Sequence, residues 1–231
     1  MIPIFEPYLS GNEKKYLADC IDSTWISSQG KYILRFEKAL ADYHGVKNAI
    51  VTSNCTTAIH LSLKILGIGP GDEVICPDLS FIAPANMIRL AGASPVLVDV
   101  DAVNWGIDPI KLKEKITTKT KAIIVVHAFG HSADMDPILE IAKKHNLFVI
   151  EDAACALGST WQGRQAGTWG TMGCFSFHPR KNITTGEGGM IVTDDANLES
   201  KLKALRNHGQ DPDSNTFEFI VPGFNYRMTE F

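Results

Sequence analysis

From Asn48 onward, short apolar runs alternate with longer segments whose apolar residues recur at helical spacing. The runs are Ala49-Ile50-Val51, Glu73-Val74-Ile75-Cys76, Val96-Leu97-Val98, Ala122 to Val126 and Leu147 to Ile150. Between them lie Thr57 to Leu66, Ala83 to Ala91 and Met135 to Asn146. The runs are short and rich in β-branched residues, so they read as central strands. Their alternation with helices predicts a largely parallel sheet covered on both faces. Gly67 to Asp72 and Gly92 to Pro95 punctuate two helix-to-strand turns. Gly173 to His178 and Met190 to Thr193 read as two further strands around the turn Thr185-Gly186-Glu187-Gly188-Gly189. Ahead of the first strand, Asn12 can cap a helix through Asp19-Cys20, and Arg35 to Leu40 carries a second helical pattern. The polar, glycine-punctuated stretch Trp25 to Tyr32 reads as the loop between them. After Thr193, Asp194 to Leu205 reads as an exposed helix and Arg206 to Thr216 as a long loop.

Composition narrows the class without changing that picture. A chain of 231 residues can bury a full core and suggests one or two domains. The pattern divides it into an arm with helices over 1–45, the α/β unit over 46–205 and a closing stretch over 206–231. A formal net charge of −4 offers no basic face to nucleic acid. Met1-Ile2-Pro3-Ile4-Phe5-Glu6 lacks the basic start and apolar core of a signal peptide, and no run has the length of a membrane span. The five cysteines, Cys20, Cys55, Cys76, Cys155 and Cys174, are odd in number and form no C-x-x-C pair. That argues for free thiols in a reducing cytoplasm and against disulfides or a metal site.

The candidate chemistry lies between Phe148 and Thr193. Asp152 follows a buried strand, at the sheet edge where α/β proteins bind ligands. Lys181 follows a second strand and precedes a Gly-Glu-Gly-Gly turn that can fold tightly beside a bulky group. A lysine amine that forms a Schiff base, with a buried carboxylate for a protonated pyridine nitrogen, is the set that pyridoxal phosphate requires. Asp152 could equally cap the following helix, and a lone lysine is normally a solvated surface group. Thr56 and Thr57 lie where the first strand meets a helix, either as phosphate donors or as plain caps. Phe81, after Pro77-Asp78-Leu79-Ser80, can stack on a flat ring or pack in the core. His127 can donate to a ligand or close a strand, and Ser176 can bind phosphate or its own backbone. Cys155 has no visible base beside it, so it reads as a packing thiol rather than a nucleophile.

Three stretches, Glu151-Asp152-Ala153-Ala154, Phe175 to Met190 (FSFHPRKNITTGEGGM) and Gly223 to Met228 (GFNYRM), resemble the DegT/StrS family of sugar aminotransferases. The likeness runs along essentially the whole chain, and the lysine segment is its most specific part. It implies a three-layer α/β/α large domain of the aspartate aminotransferase type, with a mostly parallel mixed sheet, and pyridoxal phosphate as cofactor. Lys181 would then be catalytic, Asp152 would hold the ring nitrogen, and Phe81 would cover the ring. Thr56, Thr57 and Ser176 would bind the phosphate, and Cys155 would lie close to the cofactor. Trp25 and His178 would approach the substrate, and Asn225 would reach the cofactor phosphate of the partner subunit in a homodimer. The family commonly has glycine where this chain has Cys55. The implied reaction moves an amino group, from glutamate in most of the family, to a nucleotide-linked keto sugar for cell-surface glycan synthesis. Family dehydratases replace the lysine with histidine, so Lys181 favours transfer over a sugar dehydratase. The family continues into a smaller carboxyl-terminal domain that is absent here. A cofactor-binding fragment or a regulatory subunit without turnover is therefore the alternative.

Overall fold

The computed structural model describes residues 5–231; the first four residues of the signal-peptide reading lie outside the described residues. Seven strands form one sheet: β1 (Asn48–Thr52), β2 (Glu73–Pro77), β3 (Ser94–Val98), β4 (Thr120–Val126), β5 (Phe148–Asp152), β8 (Met172–Ser176) and β9 (Gly189–Thr193). Their order is β1-β9-β8-β5-β4-β2-β3. Strand β9 alone runs against the direction of the other six. Between β5 and β8 lies a separate hairpin of β6 (Thr160–Trp161) and β7 (Arg164–Gln165).

The period of two along each strand sorts side chains into two cores. Ile50, Cys76, Ile124, Ile150, Cys174 and Ile191 meet α3 (Cys55–Ile65), α4 (Ala83–Leu90) and α7 (Ala196–Arg206) on one face. On the other, Val51, Phe175 and Met190 pack on α2 (Lys31–His44), while Ile75, Ile123, Val125 and Val149 pack on α5 (Pro109–Glu114) and α6 (Met135–His145). The result is a three-layer α/β/α sandwich with a mostly parallel mixed sheet. Because the inner strands are covered on both faces, they appear in the sequence as unbroken apolar runs.

Several local expectations change. Helix α1 (Glu13–Asp22) runs past Cys20, and the side chain of Asn12 makes no capping bond. Helix α2 begins at Lys31, so Lys31 and Tyr32 belong to it rather than to the preceding loop, and it packs on the sheet. Helix α7 is not simply exposed: Leu202 is buried in the core. Helix α5 and the β6–β7 hairpin escape sequence reading. The helix has six residues and one buried side chain, Leu112, and each hairpin strand has two residues, too few to show a period.

This topology puts the carboxyl ends of β1, β2, β4, β5 and β8 on one edge, together with the amino end of β9. Every loop that carries a candidate residue from Thr56 to Lys181 leaves the sheet there.

Candidate active site

Residues Glu151 and Asp152 end β5 side by side, and the strand's alternation sends them to opposite faces. Glu151 is fully buried and saturated. Its Oε1 accepts from Trp169 N–H (2.7 Å) and Gly170 N–H (2.6 Å). Its Oε2 accepts from Gly167 N–H (2.7 Å) and faces His127 Nε2 at 2.8 Å. The other His127 nitrogen, Nδ1, accepts from Ala133 N–H at 3.1 Å, so Nε2 is the one that donates to Glu151. Both ring nitrogens are thus committed, which decides between the two readings of His127: it anchors the end of β4.

Asp152 is also buried, at 6% exposure, but is poorly served. Its Oδ1 accepts from Ala154 N–H at 3.1 Å and lies 3.9 Å from the Cys55 sulfur. Burial raises its pKa above the ordinary carboxylate value, opposed by the Ala154 N–H, the Lys181 charge and His127. A buried carboxylate with so few donors is suited to a cationic partner.

The lysine loop is fixed at several points. Lys181 N–H donates to His178 O at 2.9 Å, closing a turn with Pro179 in its second position. Asn182 Nδ2 donates to Leu157 O at 2.9 Å, tying this turn to the loop after β5. Lys181 Nζ then lies 3.0 Å from the sulfur of Cys155, half-buried, with Asp152 close enough for their charges to interact. Phe177 N–H donates to Gly188 O (2.9 Å), and Thr185 N–H returns to Phe177 O (3.0 Å). Gly189, next in line, passes against the start of α3. A Cβ there would lie 2.3 Å from the carbonyl carbon of Asn54 and 2.6 Å from Cys55 N, so only glycine lets the two loops meet.

The turn after β1 is capped differently from the expectation. Helix α3 starts at Cys55, and its cap is Asn54, whose Oδ1 accepts from Thr57 N–H at 2.9 Å. The Thr57 hydroxyl lies 2.8 Å from Asn54 O and 3.3 Å from Asn54 N, closing a capping box. Thr57 therefore serves its own helix, whereas the neighbouring Thr56 hydroxyl has no partner among the side-chain bonds of the described residues.

The remaining candidates are less gathered. Ser176, the last residue of β8, faces His178 N–H at 3.4 Å. His178 is half-buried, and its Nδ1 accepts from Arg180 N–H at 3.2 Å. Phe81 stands 74% exposed between β2 and α4, so it is not a core residue. Trp25 is 58% exposed and lines a small cavity with Gly30 and Glu230, which neither Lys181 nor Asp152 lines. Asn225 is exposed, and its Oδ1 accepts from Arg227 Nε at 3.1 Å. Sequence reading missed Asn54, although Asn-x-x-Thr is a cap signature, and Glu151, whose donors come from the Gly167-x-x-Gly170 loop.

Comparison with known proteins matches residues 7–231 to the DegT/DnrJ/EryC1/StrS aminotransferase family. A GDP-perosamine synthase of Caulobacter vibrioides is 54% identical over 99% of this chain and 61% of its own length. The solved aminotransferase of Psychrobacter cryohalolentis superposes with a TM-score of 0.93 at 37% identity, over 97% of this chain and 60% of that one. A Streptococcus pneumoniae protein described as a sugar aminotransferase in its PLP-form gives a TM-score of 0.93 at 32% identity, over 99% of this chain and 63% of that one. The chain thus spans about six-tenths of the length of such relatives.

Proposed function

The chain belongs to the DegT/DnrJ/EryC1/StrS aminotransferase family, and from that premise we propose that it carries the cofactor-binding part of a pyridoxal-phosphate-dependent transaminase acting on a nucleotide-linked keto sugar. The observation that supports this most is the pairing, on one sheet edge, of a buried, under-bonded Asp152 with a half-buried Lys181. Pyridoxal phosphate fits the donor set: Asp152 offers a carboxylate with no ion pair among the described residues, and Lys181 a primary amine. Thr56, Ser176 and the first turn of α3 offer a hydroxyl and N–H surface for the phosphate. When bound, the cofactor supplies an electron sink for bond changes at the donor's α-carbon.

The chain's own residues do the rest. Asp152 would keep the ring nitrogen protonated, and the turn through Pro179, closed by Lys181 N–H on His178 O, would hold the Lys181 amine on the same edge. With the donor amino acid in place, Lys181 would be the general base that takes the α-carbon proton and the general acid that gives it back. In the cofactor-free chain the Lys181 amine lies 3.0 Å from the Cys155 sulfur. Phe81, free of the core, covers the ring face. Trp25 and His178 border the sugar, and the second half of the cycle places the amine on its keto carbon, giving ping-pong kinetics.

The sugar is GDP-linked in this reading, which rests on the name of the relative at 54% identity. A homodimer completes the site, with Asn225 of each subunit on the other's cofactor phosphate. Phe217, Phe219 and Ile220, 85%, 60% and 58% exposed in the loop before Asn225, supply the apolar surface that a second copy would cover. A cytoplasmic setting fits the five free cysteines, and no helix among the described residues is long and apolar enough to cross a membrane. Mixing the glutamate-treated, cofactor-loaded protein with the keto precursor of GDP-perosamine tests the acceptor. Formation of GDP-perosamine on a dimer is the expected result, and no transfer to it would overturn the assignment of the sugar.

A further inference from the structure

Beyond Asn225, alternate residues each touch a different loop. Tyr226 O accepts from Ser53 N–H at 2.9 Å, in the turn before α3. Met228, buried, packs on the lysine turn so closely that a Cβ on Gly188 would meet its Cε at 3.1 Å. Glu230, also buried, holds the loop ahead of α2. Its N–H donates to Ser27 O at 2.6 Å, its Oε1 accepts from Gly30 N–H at 2.7 Å, and its Oε2 accepts from Tyr32 N–H at 2.8 Å.

The last two bonds are a helix cap supplied from 200 residues away. Gly30, at the capping position of α2, has no side chain to satisfy the first-turn amides. The Glu230 carboxylate takes that place, favoured by the positive end of the helix. Gly30 has an ordinary φ of −94°, so its requirement is space: a Cβ there would lie 2.5 Å from the Glu230 carboxyl carbon. Among the described residues Glu230 makes no hydrogen bond to a residue assigned to the reaction, yet it bonds at both ends of the stretch 27–32, next to Trp25.

We propose that Glu230 is a positioning residue that latches the Trp25–Tyr32 loop onto the strap beside the active site and so sets the affinity for the sugar nucleotide. The proposal rests on the transaminase reading for its substrate, while the latch itself is read independently of it. Glu230→Gln keeps the size of the side chain but turns one acceptor into a donor facing a backbone N–H. Hydrogen exchange at amides 25–32 is expected to accelerate about tenfold, the size of one lost charge-assisted bond, with β4 and β5 unchanged. In the same protein, loaded with pyridoxal phosphate, the rate of glutamate conversion stays within about twofold. The concentration of GDP-linked keto sugar needed for half-maximal return rises about tenfold by the same argument.

Gly30→Ala, which pushes the carboxylate off the helix, should give the same pattern if Glu230→Gln folds poorly. Unchanged loop exchange overturns the latch, as does exchange that rises through the strands in both variants. A freed loop with unchanged sugar dependence overturns its role in binding. If neither half-reaction occurs even in the unaltered protein, the transaminase reading fails, and loop exchange still decides the latch.

Discussion

Glu151 and Asp152 are consecutive buried carboxylates, and nothing in their chemistry separates them; their surroundings do. Glu151 faces the α5–α6 side, where Gly167, Trp169 and Gly170 turn three backbone amides onto it and His127 adds a fourth donor. Asp152 faces the α3 side with one amide and a distant thiol. A saturated carboxylate organises structure, since each donor it satisfies would otherwise be buried unpaired. One left short of donors is held in a state that a cationic ligand improves. The comparison teaches that function on this edge is marked by what is missing from a hydrogen-bond set rather than by burial.

The comparison breaks first at Glu151. Glu151→Leu strands three amides and His127, at about 1–3 kcal/mol each, against a total stability of about 5–15 kcal/mol. Thermal unfolding followed by circular dichroism should show a lost or very low transition. A transition within a few degrees of the unaltered protein would mean that the loop 167–170 does not depend on this residue.

Asp152→Asn should do the opposite, with a normal fold and failed chemistry. Transamination is expected to fall by at least about a hundredfold, as for loss of a charge partner worth 2–3 pKa units. The melting temperature without cofactor should be unchanged or higher. A destabilised variant with near-normal turnover would reverse the roles of the two acids.

The pH dependence sharpens the same contrast. With its folded pKa raised, Asp152 holds its proton more tightly in the folded chain. The cofactor-free protein therefore loses stability as pH rises from the unfolded value of about 3.9 through the folded one. His44, whose burial lowers its pKa to about 4, works the other way. It destabilises the fold as pH falls below its unfolded value of about 6.5, equally in both proteins. The difference between the melting curves of Asp152→Asn and the unaltered chain over acid pH isolates the aspartate. That difference should favour the variant increasingly as pH rises, and a flat difference would show that Asp152 is not under strain from burial.

The smallest effect belongs to Cys155→Ser, which keeps a polar atom near Lys181 Nζ. Cofactor affinity and rate should stay within about threefold, less than the 1.4 kcal/mol of a tenfold change. Loss of activity by orders of magnitude would promote the thiol to a direct part in the reaction.

Much of this was legible in sequence because strands covered on both faces must be apolar throughout, and the residues ending them then stand out. Asp152 and Lys181 could be placed on one edge for that reason. Glu151 looked identical to its neighbour, because its donors lie 16 to 19 residues later in a loop with no periodic signal. Thr57 could be read as a phosphate ligand or as a cap, because hydroxyls at a helix start serve either use; its bonds with Asn54 show the capping use. Glu230 and Gly30 were invisible as a pair, since a cap normally lies within three residues of the amide it serves.

The central claim is that Lys181 and Asp152 together form a pyridoxal phosphate site. Its most direct test is the absorbance spectrum of the purified chain with added cofactor, before and after glutamate, beside Lys181→Ala. The account predicts a visible band for lysine-bound cofactor that glutamate bleaches, and no such band in the variant. A band that persists in Lys181→Ala, or none in the unaltered chain, would contradict it.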